Sequence, residues 1–305
     1  MKDQRTKQIA LDEERNRFLK HRKFRTNTLP ALVTVGPMAL WLCLFIVIPM
    51  IYVVVISFMG QGSYGYIDYH ITAGSYKEML QPLYLKIFGL TLLVGIGATV
   101  VVLLVGYPIA YFMARRKNSQ GVLLMLLMMI PGWTIGLVRM YSWIRILKNN
   151  GTINTMLLKI GIIEVPLKLL YTNGAVAFGL VLSLLTFGIL PLYSSIEKLD
   201  ETYLEAAKDL GAKPFEVLKT VILPLTSGGI FASVILTFIP ALGVYIVADM
   251  YGGGTILYLG NLIRNQMLNT RNWPFGCALS VLLIIITLII LFAFTRFYDL
   301  EELDV

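Results

Sequence analysis

Two ionisable side chains interrupt otherwise apolar runs, where charge is costly and marks a function or a partner. Arg139 lies in Trp133-Thr134-Ile135-Gly136-Leu137-Val138-Arg139-Met140-Tyr141, and Asp249 in Tyr245-Ile246-Val247-Ala248-Asp249-Met250-Tyr251. A carboxylate among aromatic faces can hold an organic cation by charge and cation–π attraction. On that reading Asp249, Tyr245, Trp133 and Tyr141 line the route of such a cation. The same residues fit a plainer one, in which Arg139 and Asp249 pair to fasten two helices and the aromatics form an interfacial belt. Chemistry by the chain itself has little support. No G-x-x-x-x-G-K-[ST], H-E-x-x-H, G-x-S-x-G or paired-cysteine pattern occurs, so neither catalytic nor metal-ligating residues are assigned. Gly252-Gly253-Gly254-Thr255 lacks the lysine of a phosphate cradle and reads as a turn. His21 and His70 are isolated, and Cys43 and Cys277 read as small buried hydrophobes.

A second cluster is polar and lies between two apolar runs. Residues 205–224 read Glu-Ala-Ala-Lys-Asp-Leu-Gly-Ala-Lys-Pro-Phe-Glu-Val-Leu-Lys-Thr-Val-Ile-Leu-Pro. Thr202 and Glu205 have capping-box spacing, and Asp200 and Glu201 add negative charge at the same helix start. Tyr203, Ala206, Ala207 and Leu210 share one helical face. Gly211 is placed for a left-handed C-terminal cap. Pro214 opens a second short helix with Phe215, Leu218 and Ile222 on one face. Small Ala206 and Ala207 would let a partner approach the backbone closely. An ordinary amphipathic connector would look similar.

The elements that must position these residues are membrane spans. Of 305 residues, 57% are hydrophobic and 14% charged, against about 25% charged in a soluble domain. Six apolar runs, about 30–58, 86–114, 121–147, 171–196, 226–250 and 275–297, reach spanning length. The fold expected is all-α: a polytopic membrane protein of six transmembrane helices with a cytoplasmic loop at 197–225. The domains are a basic N-terminal segment 1–29, the membrane domain 30–297 and a tail 298–305. Nine of the 26 Lys and Arg precede residue 30, which favours contact with anionic lipid over binding of nucleic acid. That head is too long and charged for a signal peptide, so the first span is expected to stay as an anchor. With both termini cytoplasmic, the inner segments hold 17 Lys and Arg and the outer ones 8. Arg115-Arg116-Lys117 is the sharpest orientation marker. Pro37, Pro49, Pro108, Pro131, Pro191 and Pro240 lie in the spans; Pro131 and Pro240 divide the two that carry Arg139 and Asp249. Outside, Asn149-Asn150-Gly151 leads into a helix with Ile153, Met156, Leu157 and Ile160 on one face, ended by Gly161.

The spacing of EAA, three residues, Gly, nine residues, an aliphatic residue, one residue and Leu-Pro resembles the coupling loop of ABC-importer permeases. Val221 stands where that family usually has Ile. Further segments resemble the first permease subunit of spermidine/putrescine importers. They are Pro191-Leu192-Tyr193-Ser194-Ser195-Ile196-Glu197-Lys198-Leu199-Asp200, Val247-Ala248-Asp249-Met250-Tyr251-Gly252-Gly253, Gly260-Asn261-Leu262-Ile263 and Asn272-Trp273-Pro274-Phe275-Gly276. The likeness runs from about 30 to 297. It implies a multi-pass subunit of the cell membrane that works with a second, homologous permease, two copies of a cytoplasmic ATPase and an extracytoplasmic solute-binding protein. Glu205, Ala206, Ala207, Gly211, Leu223 and Pro224 would couple to the ATPase. ATP and Mg would belong to that partner, with no cofactor in this chain. A permease for another small solute is the alternative. An ion-coupled secondary transporter would need more intramembrane acids and an inverted repeat, and a scaffold or receptor would leave the EAA spacing unexplained.

Overall fold

A computed structural model describes residues 28–62, 65–116, 120–133 and 136–297. The head before Thr28, the tail from residue 298, and Lys117, Thr134 and Ile135 lie outside the described residues. The chain divides into two compact units, Met1–Val55 and Ile56–Val305.

In the first unit, α1 (Thr28–Leu42) runs through a π-helical stretch, Cys43–Val47, into α2 (Ile48–Ser57), whose last two residues belong to the second unit. The wide turn has a cause in Pro49. A proline has no N–H to give the carbonyl four residues back and its ring crowds that carbonyl. The helix opens instead, and Ile48 N–H bonds the Cys43 carbonyl five residues back. Cys43 stands exposed on this span rather than buried as expected, while Cys277 is buried.

The second unit begins with a two-stranded antiparallel ribbon, β1 (Met59–Gln61) and β2 (Ile67–Ile71), and the short α3 (Gly74–Met79). His70 is not isolated here, since Asp68 lies 2.8 Å away. The main bundle follows. Its elements are α4 (Pro82–Ala114), α5 (Gln120–Trp133), α6 (Gly136–Leu147), the outer α7 (Thr152–Ile160), α8 (Asn173–Glu197), and the loop helices α9 (Glu201–Asp209) and α10 (Pro214–Val217). A second π-helical stretch, Leu218–Ile222, leads to α11 (Leu223–Leu225) and then α12 (Ser227–Gly243), α13 (Tyr245–Gly252), α14 (Leu259–Leu268) and α15 (Trp273–Phe297).

Among the described residues, four helices are long and apolar enough to cross a membrane: Val35–Ser57, Pro82–Ala114, Asn173–Glu197 and Trp273–Ala293. A fifth candidate, Pro214–Leu225 with Ser227–Gly243, is bent by 69°. The expected span 121–147 is two helices here, ending at Trp133 and restarting at Gly136. The expected span 226–250 is likewise divided at Val244, whose ψ of 97° leaves the helical region. Pro131 and Pro240 lie in the last turn before each break, two residues before Trp133 and three before Gly243. Pro37, Pro108 and Pro191 lie inside helices that continue past them.

At the centre α8 packs between α4 and α12. Gly188 sits at a close approach, where an added Cβ would collide with Val102 and lie 3.0 Å from Thr237. Overpacking of this kind costs about 1–3 kcal/mol. Gly188→Val is therefore expected to cut membrane abundance severalfold, read by immunoblot of membrane fractions. Normal abundance would mean that the three helices part freely at this crossing.

Candidate functional site

The 197–225 loop is built as two helices tied to the bundle on one side and open on the other. Asp200, with extended backbone, is the N-cap of α9, and its Oδ1 accepts from Thr202 N–H at 2.9 Å and from the Thr202 hydroxyl. These hydrogen bonds, the hydroxyl foremost, hold the Asp200 carboxyl below its ordinary value. The expected box between Thr202 and Glu205 is thus corrected. The cap lies two residues earlier, Thr202 is already helical, and its hydroxyl is used on Asp200. The exposed Glu205 side chain takes no part in this cap.

Gly211 has the left-handed conformation expected of it, φ +85°. Its N–H reaches the Lys208 carbonyl at 2.8 Å, and Ala212 N–H reaches the Ala207 carbonyl at 3.1 Å. The two bonds make a Schellman stop that satisfies the last carbonyls of α9. After the turn, Lys213 N–H donates to Glu216 Oε2 at 2.8 Å and starts α10.

Leu204, Val217, Ile222 and Leu199 are buried together, with Ala207, Leu218, Tyr107 and Tyr111 packed on them. Phe215 does not share the face of Leu218 and Ile222, as helical spacing suggested; it is 74% exposed, and Val217 takes the buried place. The reason is the π stretch before Pro224. Leu223 N–H bonds the Leu218 carbonyl five residues back, so Val217 and Ile222, five apart, turn inward together. The Leu223-Pro224 pair thereby sets the pitch of the loop. The opposite side of α9 and α10 shows Tyr203 57%, Leu210 90% and Phe215 74% exposed, with Ala206 between the first two. Exposed apolar groups in a cluster mark a contact surface.

Two polar ties connect this loop to α4. Tyr107 and Thr226 hydroxyls lie 2.8 Å apart, with Thr226 fully buried at the 69° bend. Arg115 Nη1 donates to the Leu199 carbonyl at 3.2 Å and stands 4.0 Å from Glu201. The first tie also joins α4 to the bend that opens α12.

The second candidate site lies at the far end of the bundle. Asp249 on α13 receives Arg264 of α14, Nη1 to Oδ2, at 2.7 Å. The Arg264 guanidinium also stands over the Tyr245 ring, 5.6 Å from its centroid. Tyr245 and Asp249, singled out in sequence, are thus brought together by Arg264, a residue that sequence spacing does not single out. Tyr141 is exposed on α6 and takes no part in this bridge. Trp133 ends α5, and its side chain lies outside the described residues. The group is half open: Tyr245 is 41% exposed, and the Arg264 and Asp249 side chains 39% and 23%.

The segments behind the resemblance have architectural work here. Asn261, buried, accepts from Tyr258 N–H at 2.6 Å and donates to the Ile256 carbonyl, which fixes the start of α14. Burial pushes the Tyr258 phenol up to about 12, and it donates to Asn173 Oδ1 at 3.0 Å. Asn272 Oδ1 accepts from Phe275 N–H at the start of α15, with Phe275 fully buried. Among the described residues no group of three or more His, Cys, Asp or Glu is placed to hold a metal ion.

Comparison with known proteins bears on the same segments. The chain is 41% identical over 264 residues to the spermidine/putrescine transport system permease protein PotB of Haemophilus influenzae, covering 87% of this chain and 92% of that one. It is 39% identical over 256 residues to PotB of Escherichia coli, covering 84% and 93%. A crystal structure of a bacterial alginate ABC transporter, in complex with an alginate pentasaccharide-bound periplasmic protein, contains a chain that superposes with a TM-score of 0.71. That match covers 86% of this chain and 92% of the other at 14% identity, a likeness of fold. Residues 103–302 match the family described as binding-protein-dependent transport system inner membrane component. With that match over most of the membrane bundle and relatives near 40% identity along nearly its whole length, the chain is a member of the binding-protein-dependent transport system inner membrane component family.

Proposed function

We propose that this chain is a transmembrane permease subunit of an ABC importer that, with a second permease, forms the path for uptake of polyamines such as spermidine and putrescine. The observation that carries the proposal is the near-40% identity to PotB proteins over 84–87% of the chain, joined to a loop that exposes Tyr203, Leu210 and Phe215 on its outer face. ATP is hydrolysed in a separate cytoplasmic ATPase, present in two copies, which receives the exposed face of Tyr203, Ala206, Leu210 and Phe215, with Glu205 beside it. The divided segments 120–147 and 214–252 complete six spans, the broken pieces facing protein rather than lipid. ATPase closure moves the loop, and the ties at Tyr107–Thr226 and Arg115–Leu199 carry that movement into α4 and α12. The bundle then alternates between outward and inward openings. Asp249, Tyr245, Tyr141 and Trp133 line the solute's route.

The deciding experiment is ATP hydrolysis by the purified complex in the presence of polyamine-loaded binding protein. Stimulation by the loaded form over the empty one is expected. Uptake driven by an ion gradient without the ATPase would overturn the proposal, and stimulation only with a different solute would move it to another substrate.

The orientation has its own check. With both termini cytoplasmic, cysteines at Asn118 or Lys208 should react only with membrane-permeant thiol reagents in intact cells. Cysteines at Thr155 or Asn265 should react with impermeant ones. Labelling of position 208 from outside would remove the ATPase-docking role of the loop.

A further inference from the structure

Arg115 and Arg116 follow α4 side by side and are used differently. Arg116 is exposed, its guanidinium 4.1 Å from the centroid of the Phe112 ring. Arg115 is turned inward, its side chain only 17% exposed and its guanidinium 5.8 Å from the Tyr111 centroid. A charge that only sets orientation can stay in water, as that of Arg116 does. Burial of Arg115 needs another cause.

The partners that Arg115 has here meet that need only in part. Its Nη1 donates to the Leu199 carbonyl at 3.2 Å, while Nε and Nη2 are buried with no hydrogen-bond partner among the described residues. A buried donor left unpaired carries its full desolvation penalty, and more so when it is charged. A guanidinium presents two parallel N–H groups that suit one carboxylate. One carboxylate stands nearly in place, with Glu201 Oε1 4.0 Å from Nη1. The two acids just before it are occupied. Asp200 caps α9, and Glu197 accepts from the Tyr193 hydroxyl at 3.0 Å. Glu201 is the first residue of α9 and its side chain is 73% exposed, so it belongs to the loop whereas Arg115 follows α4. An approach of about 1 Å brings its two oxygens to charge-assisted bonding distance of Nη1 and Nη2. The Leu199 carbonyl keeps the other N–H of Nη1.

We propose that Arg115 and Glu201 close into a two-handed ion pair when the ATPase presses the loop toward α4, and that this pair holds the loop in its driven position. The proposal rests on the reading of the loop as the element that docks the ATPase. The 4.0 Å separation is then the released form. Closing satisfies a buried guanidinium but takes the Glu201 carboxylate out of water. The two costs oppose each other, so neither form dominates strongly and a modest push from the ATPase decides between them. Arg115 is in these terms a positioning residue of the coupling step, and Glu201 its switchable partner.

The test uses the full complex, purified with its ATPase in lipid nanodiscs, and compares ATP hydrolysis with and without polyamine-loaded binding protein. E201Q is the discriminating variant, because the lost carboxylate accepts no hydrogen bond in the released form. Its yield of assembled complex should stay within about twofold of wild type. Stimulation by the loaded binding protein should nevertheless fall about fivefold or more. R115Q should lose as much, and R115Q/E201Q no more than the worse single variant, since both changes remove one contact. A disulfide between R115C and E201C should form faster with a non-hydrolysable ATP analogue than without nucleotide, a readout that a static structural role would not move. Stimulation of E201Q equal to wild type, additive losses in the pair, or equal disulfide rates in the two conditions would each overturn the proposal. If wild type itself is not stimulated, the functional reading fails and takes this inference with it. An unchanged E201Q beside a stimulated wild type sinks the inference alone.

Discussion

Replacement of Gly211 by valine should abolish most polyamine uptake while leaving the protein in the membrane. Gly211 ends α9 at φ +85°, and nothing lies within 4 Å of where its Cβ would be. The penalty is therefore conformational and not a clash with neighbours. A side chain in the left-handed region costs about 1–2 kcal/mol, and more when β-branched. Losing the turn releases the bonds from Gly211 and Ala212 to the Lys208 and Ala207 carbonyls and lets α9 swing relative to α10. The buried cluster under the loop stays intact, because Leu204, Val217 and Ile222 are anchored on Tyr107 and Tyr111. The bundle should thus insert normally, while the exposed face of Tyr203, Leu210 and Phe215 no longer presents as one surface. Uptake is expected to fall about tenfold or more, given that about 1.4 kcal/mol is a factor of ten. Gly211→Asn should keep much of the activity, since asparagine tolerates the left-handed region. Uptake and immunoblot of the two variants decide. Equal loss in both would show that the missing side chain, and not the backbone, matters at this position.

The loop was the most legible part of the chain, and its errors are instructive. The Gly211 stop, the Pro214 start and the short amphipathic helix with its Gly161 cap follow from local chemistry, which a sequence displays directly. The cap at Asp200 and the burial of Val217 in place of Phe215 were missed for two reasons. Three acceptors crowd the start of α9, so the spacing of Thr202 and Glu205 was only one of several solutions. Helical periodicity assumes 3.6 residues per turn, whereas the stretch before Pro224 is π-helical. The signal was present, since Pro49 produces the same wide turn in the first span. The breaks at Trp133 and Val244 hid within apolar runs because hydropathy counts residues and is blind to backbone direction. Arg264 was overlooked for a related reason. It lies 15 residues beyond Asp249 on a separate helix, and only the fold of α14 back onto α13 makes them neighbours.

That arginine changes what the Asp249 substitution should show. Asp249→Asn is nearly isosteric and removes only the charge, while Arg264 keeps the Tyr245 face. Breaking a fully buried ion pair costs about 3–5 kcal/mol, but exposed pairs are worth about 1 kcal/mol or less. With Arg264 39% and Asp249 23% exposed, the cost in stability lies toward the lower figure. Abundance should therefore hold within about twofold. Uptake should nevertheless fall about tenfold or more, because a carboxylate on the route acts where the local dielectric is low and charge counts more than in water. On the proposed route, an arriving ammonium group would exchange with the guanidinium at the carboxylate without exposing a bare charge, so pairing with Arg264 would not bar Asp249 from a cationic solute. The double variant D249N/R264Q separates the readings. If the pair only fastens α13 to α14, the single substitution strands a cation and lowers abundance, and removing Arg264 restores both abundance and uptake. If Asp249 lines the route, the single variant keeps its abundance, and the double variant remains unable to transport. Uptake and membrane abundance of D249N, R264Q and the pair, measured together, give the answer, and restored uptake in the pair would exclude Asp249 from the path.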